Sequence, residues 1–292
     1  MTPAPLVRET PRPAERRCLV RGGASWPAAF ERLSDVPARL FAEGSELPLP
    51  AHAVAIVGAR AATGYGLEAA HRLAHDLAAS GYTIVSGLAR GIDASAHEGA
   101  LAAGGRTIAV LPSALDTITP HEHAGLAARI ARQGTLVSEV QSGGPFGRGA
   151  FVKRNRIIAA LAGATVVVEA GERSGALTTA SFAKQLGRAV LAVPGDLDRP
   201  TSRGPLGLLR QGALVCADAG DVRAALVGFG FGAPIGDARA RLAGLLSGEA
   251  RTLEWLAAAA GIPSEEAIAL LLALEWSGVA SPRPGGRWAS RA

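Results

Sequence analysis

Lysine is almost absent from this sequence. Of its 30 basic residues only Lys153 and Lys184 are lysine, and the rest are arginine. With so much arginine and alanine, a single surface Arg carries little information, whereas Lys153 stands out by lying in the most basic run of the α/β region. Cysteine is scarce as well. Cys18 and Cys216 are far apart and in no metal-ligand spacing, which argues against a disulfide framework or a zinc site and fits a reducing compartment. Aromatics make up 4% of the chain, so a core must be built from Ala, Val, Leu and Ile. No run of 18 residues is apolar without charges or helix breakers, and Met1 to Thr10 has no apolar stretch of the signal-peptide kind. These absences lead to the expectation of a cytoplasmic protein without a membrane span.

What is present is length enough for one large and one small domain, 37 glycines without a repeat period, and a net charge of +5. A basic balance suits a polyanionic partner without identifying one. Residues 1–24, rich in Pro, Arg and Glu, read as a flexible arm, and Ser25 to Leu47 as short helical turns leading into the main domain. From Ala53 on, short β-rich runs (Val54–Val57, Thr83–Val85, Thr107–Leu111, Thr135–Val137, Thr165–Val168, Ala189–Val193) alternate with helical stretches (Gly66–Ala79, Ala94–Ala103, Ala124–Ala131, Phe151–Leu161, Ala176–Leu186). The strands are continuously apolar, as parallel strands buried on both faces must be. The expected fold is therefore α/β: an extended Rossmann-like, doubly wound, mostly parallel sheet over residues 25–227 with its lead-in. A glycine-rich linker, 228–236, follows. Residues 237–292, with three helices and a hairpin around Pro284-Gly285-Gly286, read as a winged helix. In it Ser264 is a plausible N-cap, with Glu265 and Glu266 near the positive end of the helix dipole.

In open parallel sheets ligands bind beyond the carboxyl ends of the strands. The first such exit, Gly58 to Gly66, is a small-residue turn carrying Arg60, whose planar fork suits phosphate. It matches neither the dinucleotide fingerprint nor a Walker loop. The second exit, Ser86-Gly87 to Asp93, is equally compact. Asp93 and His97, four apart, either form a catalytic or metal pair or, respectively, cap and pack the helix. Beyond Ser138-Glu139 comes the run Phe151-Val152-Lys153-Arg154-Asn155-Arg156. Its cations, read as sitting at a helix start, conflict with the helix dipole unless an anion binds there. Phe151 either stacks a base or joins the core. The fifth exit, Glu169 to Ala176, opens a helix with Ser174-Gly175. Glu139 and Glu169 either act as a general acid–base pair or order the loops; no nucleophile–base partner is evident beside them.

Taken in order, AIVGAR (Ala55–Arg60), YG (Tyr65-Gly66), SGLARGIDASAH (Ser86–His97), SE (Ser138-Glu139), FVKRNRIIAAL (Phe151–Leu161), VEAGERSGALTTASFA (Val168–Ala183) and AVPGD (Ala192–Asp196) strongly resemble the DNA-processing protein A family, also called Smf. The resemblance runs from about Ser25 to Ala213, and the C-terminal unit resembles the winged-helix tail of some members. It implies a homodimer that binds single-stranded DNA and helps load a RecA-type recombinase, displacing single-strand-binding protein, during natural transformation. No cofactor, metal or catalytic residue is implied. The DNA-binding residues it implies are Arg60, Ser86, Gly87, Lys153, Arg154, Asn155, Arg156, Ser174 and Gly175. The sequence departs from the family in that the preceding helical domain is expected to be absent or reduced to Met1–Ala24, in Thr119 where a tyrosine is usual, and in Gly204-Pro205-Leu206 where an Asn is usual. Two other readings stay open. One is a Rossmann-like enzyme or sensor of nucleotide-derived ligands, cleaving an N-glycosidic bond with Glu139 and Glu169. The other is a duplex reader working through the winged helix, whose helix Ser264–Ser277 has no Arg to offer base edges.

Overall fold

The computed structural model describes residues 16–144, 147–229, 241–262, 264–276 and 278–290. Its main unit is a nine-stranded sheet in the order β1-β2-β6-β5-β4-β3-β7-β8-β9. The first parallel strand, β3 (Ala53–Val57), lies mid-sheet. From it the chain winds one way through β4 (Thr83–Ser86), β5 (Thr107–Leu111) and β6 (Thr135–Ser138). It then returns to add β7 (Ala164–Val167), β8 (Ala189–Ala192) and the short β9 (Leu214–Val215) on the other side. The direction of winding reverses between β3 and β7.

All five residues of β3 are buried. Ala53, Ala55 and Val57 face one apolar layer and Val54 and Ile56 the other. This period of two, apolar on both faces, requires helices on both sides. On one face pack α1 (Gly64–Ala79), α2 (Ile92–Ala102), α3 (Ala124–Gln133) and α7 (Ala219–Gly228). The other carries α4 (Arg148–Leu161) and α5 (Gly175–Gln185). A further short helix, α6 (Arg203–Arg210), follows β8; its Pro205 sits in the first turn, where a missing N–H costs nothing.

The lead-in departs from the sequence reading. β1 (Arg16–Val20) falls within the segment expected to be an arm, and β2 (Arg39–Gly44) within the expected helical turns. The two pair antiparallel, and β2 joins β6 antiparallel, so they close one edge of the sheet. The helical part of the lead-in is a single 3₁₀ turn, Ala28–Arg32. Strands this short and Arg-rich lack an apolar run because an edge needs only alternate residues buried, and its charges deter further pairing. Residues 1–15 of that arm and most of the linker lie outside the described residues.

The C-terminal residues build their own core from Leu242, Leu256, Leu271, Leu274, Trp288 and neighbours. Its helices are residues 241–245, α8 (Leu253–Ala260) and α9 (Ser264–Trp276). A three-stranded sheet, β10 (Arg251–Thr252), β12 (Arg287–Ser290) and β11 (Ala280–Arg283), completes the winged helix. The side chains of Glu265 and Glu266 are outside the described set.

Candidate nucleic-acid interface

At the carboxyl ends of β3 and β7, where the winding reverses, the loops leave a cavity of about 250 Å³. This is the crevice in which doubly wound sheets take ligands. The turn after β3 is held tight. Ala59 N donates to the Glu169 carbonyl at 2.6 Å. A Cβ on Gly58 would sit 2.6 Å from Ile92 Cγ1, so only glycine fits. The buried Glu169 carboxylate accepts from Thr63 N at 2.9 Å and Thr63 Oγ1 at 2.7 Å, and Thr63 in turn caps α1. Across the cavity Ser174 caps α5 by accepting from Ala176 N at 3.3 Å, leaving the positive end of that helix on the cavity wall.

Two arginines line this space. Arg60 is exposed, its guanidinium carbon 5.0 Å from the centroid of the Phe151 ring, in cation–π contact. Arg154, on α4, is buried. Its Nη1 donates to the Gly87 carbonyl at 2.7 Å and to the Val110 carbonyl. Burial lowers the Arg154 pKa to about 10; nearby Asp93 acts to raise it and Arg60 to lower it further. Asp93 is raised by burial, against the attraction of Arg154 and a hydrogen bond accepted from Ala89 N at 3.3 Å. Asn155 Nδ2 donates to Gly175 O at 3.0 Å and Thr178 Oγ1 at 2.8 Å, fastening α4 to the first turn of α5. The β4–α2 loop takes its shape from a buried Leu88 at φ 57°, in the left-handed region.

Behind this wall His97 is fully buried. Thr107 Oγ1 donates to the Ile84 carbonyl at 2.8 Å, so at 2.7 Å it accepts from His97 Nδ1–H. His97 Nε2 has no hydrogen-bond partner. Burial, then the charges of Arg154 and His123, lower the His97 pKa to about 3, so the ring is neutral.

The basic run on α4 divides between two faces. Lys153 and Arg156, three residues apart, turn to the lead-in and to β6. Arg156 donates to Asp35 O and to Glu139 Oε1, each at 2.9 Å, and Lys153 Nζ is 3.4 Å from Glu139 and 3.8 Å from Asp35. Lys153 borders a second hollow, about 470 Å³, which shares Arg154 with the first. Glu139 leaves β6 and Glu169 leaves β7, four strand steps apart in the sheet, about 19 Å at usual strand spacing. They are not brought together as an acid–base pair.

Residues 17–227 match the family described as DNA recombination-mediator protein A, and residues 232–286 the DprA winged helix domain. The chain belongs to the DNA recombination-mediator protein A family. It is 38% identical over 279 residues to Protein Smf of Escherichia coli K12, covering 89% of this chain and 74% of that protein. The crystal structure of DNA processing protein A from Streptococcus pneumoniae is similar at a TM-score of 0.68 and 35% identity, over 71% of this chain and 73% of that one. The DNA processing protein A of Helicobacter pylori, whose structure is described for its single-stranded DNA binding mode, is similar at 0.66 and 31%, over 74% and 97%.

In this recombination-mediator chain the expected site residues fall into three groups. Arg60, Arg154, Asn155, Ser174 and Gly175 line one cavity. Lys153 borders the adjoining hollow, and Gly87 lies beneath Arg154. Ser86 and Arg156 are buried away from it, the Ser86 hydroxyl donating to Ile56 O at 2.6 Å. Asp93 does not cap α2. Gly91 holds that position without a side-chain bond, and Asp93 turns into the cavity wall beside Arg154. The one sequence signal for this pairing is a lone acid in a loop otherwise built for anions. Nor do the cations start a helix, since α4 begins at Arg148 and Arg154 is compensated by carbonyls rather than set against the dipole. Among the described residues no group of His, Cys, Asp and Glu is placed to hold a metal, and no helix is long and apolar enough to cross a membrane.

Proposed function

We propose that this chain grips single-stranded DNA along the carboxyl rim of its sheet and from there helps a RecA-type recombinase load onto incoming DNA. The observation that carries this reading is the cavity at the β3–β7 reversal, where the exposed Arg60, the buried Arg154 and the capped start of α5 converge. Phosphates would lie against these cations and the free N–H groups of α5, and a base against the rim near Phe151. The single-stranded DNA binding described for the H. pylori relative, and the family's description as recombination mediators, support it. In this reading the chain acts in the cytoplasm as a homodimer during natural transformation, displaces single-strand-binding protein, and leaves the strand covalently unchanged.

The test is fluorescence anisotropy with labelled oligo-dT and with a matched duplex. Binding should favour the single strand, and Arg60→Ala should weaken it by about tenfold, as loss of a charge-assisted phosphate contact does. Equal affinity for duplex, or an unchanged Arg60→Ala variant, would sink the assignment. Recombinase filament growth on strand precoated with single-strand-binding protein then tests loading: the chain should shorten the lag. Release of free base from nucleoside monophosphates, abolished by Glu169→Gln, would replace this reading with an enzymatic one.

A further inference from the structure

The opposite end of the sheet carries a second cationic surface that single-strand binding leaves unused. Segments 24–29 and 46–51 line a trough of about 680 Å³ at the amino ends of the parallel strands. Arg17 stands at one end of it, its Nη2 tied to the carbonyls of Gly44, the last residue of β2, and of Ser45. At the other end are Arg32 and Arg188. Arg188 directly precedes β8, and a Cβ on Gly187 would be 3.7 Å from Arg32 Nη2. Burial and the charge of Arg32 both lower the Arg188 pKa. Neither Arg17 nor Arg32 has a carboxylate partner among the described residues, and Glu46 is the one acid in the lining. Between the arginines the walls are apolar: the partly open ring of Trp26, then a stretch of proline and leucine in which Leu49 is 68% exposed.

We infer that this trough binds an extended acidic peptide of a protein partner, with carboxylates on the arginines at each end and apolar side chains along the Trp26–Leu49 wall. The order of features decides the class. A nucleic-acid strand draws its affinity from cations spaced along its phosphates, but here the charges are at the ends and the middle is proline and leucine. The six strand steps from β2 to β8 span about 29 Å, close to eight extended residues at about 3.3 Å each. The exposed Arg32 fork can donate two parallel bonds to a carboxylate, Arg17 keeps Nη1 to donate because its Nη2 is held by carbonyls, and a preformed proline wall loses little entropy on binding.

The probe is a dye-labelled octapeptide alternating aspartate with leucine, titrated with the full chain by anisotropy. A lysine–leucine octapeptide and oligo-dT serve as comparators. The acidic peptide should bind and the lysine peptide should not. Arg32→Glu and Leu49→Asp, both at exposed positions, should each lower peptide affinity by about tenfold while leaving oligo-dT binding unchanged. Arg60→Ala should do the reverse, which keeps this outcome separate from that of the single-strand site. Absence of binding by the acidic peptide overturns the inference. So does an Arg32→Glu variant that keeps the peptide, or one that loses oligo-dT, which would make the trough a nucleic-acid surface.

Discussion

Gly87 illustrates how narrowly the cavity wall is set. A Cβ there would lie 2.5 Å from Arg154 Nη2 and 2.7 Å from Asp93 Oδ2. Arg154 is buried and held by two carbonyls, so it cannot swing aside freely. Gly87→Ala should therefore cost about 1–3 kcal/mol of stability through overpacking and weaken oligo-dT binding as well; urea unfolding beside anisotropy reads both. His97 makes a second prediction at this scale. Its folded pKa of about 3 lies below the usual value near 6.5, so below that pH the unfolded chain binds a proton that the folded chain does not. The His97 contribution is fully present above pH 6.5 and is lost as pH falls toward 3, with a slope of up to about 1.4 kcal/mol per pH unit. Asp93, shifted upward, works in the opposite sense and reduces the net slope. Of the six imidazoles, His97 should keep a neutral NMR signature at pH 4. A signal that titrates near 6.5 would contradict its burial.

At the scale of elements, α4 separates tasks that the linear run Lys153-Arg154-Asn155-Arg156 presents as one. Helical spacing sends Arg154 and Asn155 into the cavity, and Lys153 and Arg156 to Asp35 and Glu139. Arg156 is 3% exposed with a half-open partner set. Arg156→Ala should thus destabilise by about 1–3 kcal/mol, less than a fully buried pair because Asp35 is exposed to solvent, with oligo-dT affinity little changed in the folded protein. Lys153→Glu, at an exposed position beside Glu139 and Asp35, should instead cost no more than about 1 kcal/mol of stability and weaken oligo-dT binding. Thermal melts and anisotropy on both variants separate the two roles. The parallel core was legible in the sequence because each strand there is apolar on both faces, as Ala53–Val57 shows. The edge pair β1–β2 was not, since an edge buries alternate residues and Leu19, Leu40 and Ala42 make too short a signal. For the candidate site, glycine turns and cations pointed to loops that the fold gathers around one cavity. Which cations face the cavity depends on where α4 begins, three residues before the expected Phe151, and no residue type marks that start.

Across the whole molecule, several of the arginines are locally neutralised. Arg16, Arg21, Arg90, Arg129, Arg199 and Arg251 each meet a carboxylate at the surface. A net charge of +5 therefore does not spread evenly over the surface, and binding should depend on the few cations left open at the rim. For single strands the log–log salt slope is roughly −0.7 per phosphate neutralised, so Arg60→Ala should make the slope shallower by about 0.7. The winged helix exposes Arg283 and Arg287 on its wing, and these are expected to add little to that count. Its α9 contains no Arg or Lys and exposes Ile268 and Leu272, while Arg251 lies over the Trp255 ring at 4.9 Å. Its core also shares no residue with the apolar layers around the large sheet. A chain lacking residues 232–292 should thus bind oligo-dT with nearly the same affinity and an unchanged slope between low and moderate salt. If truncation makes the slope shallower by about 0.7 or more, at least one phosphate was held by the wing, and the rim of the sheet accounts for that much less of the binding.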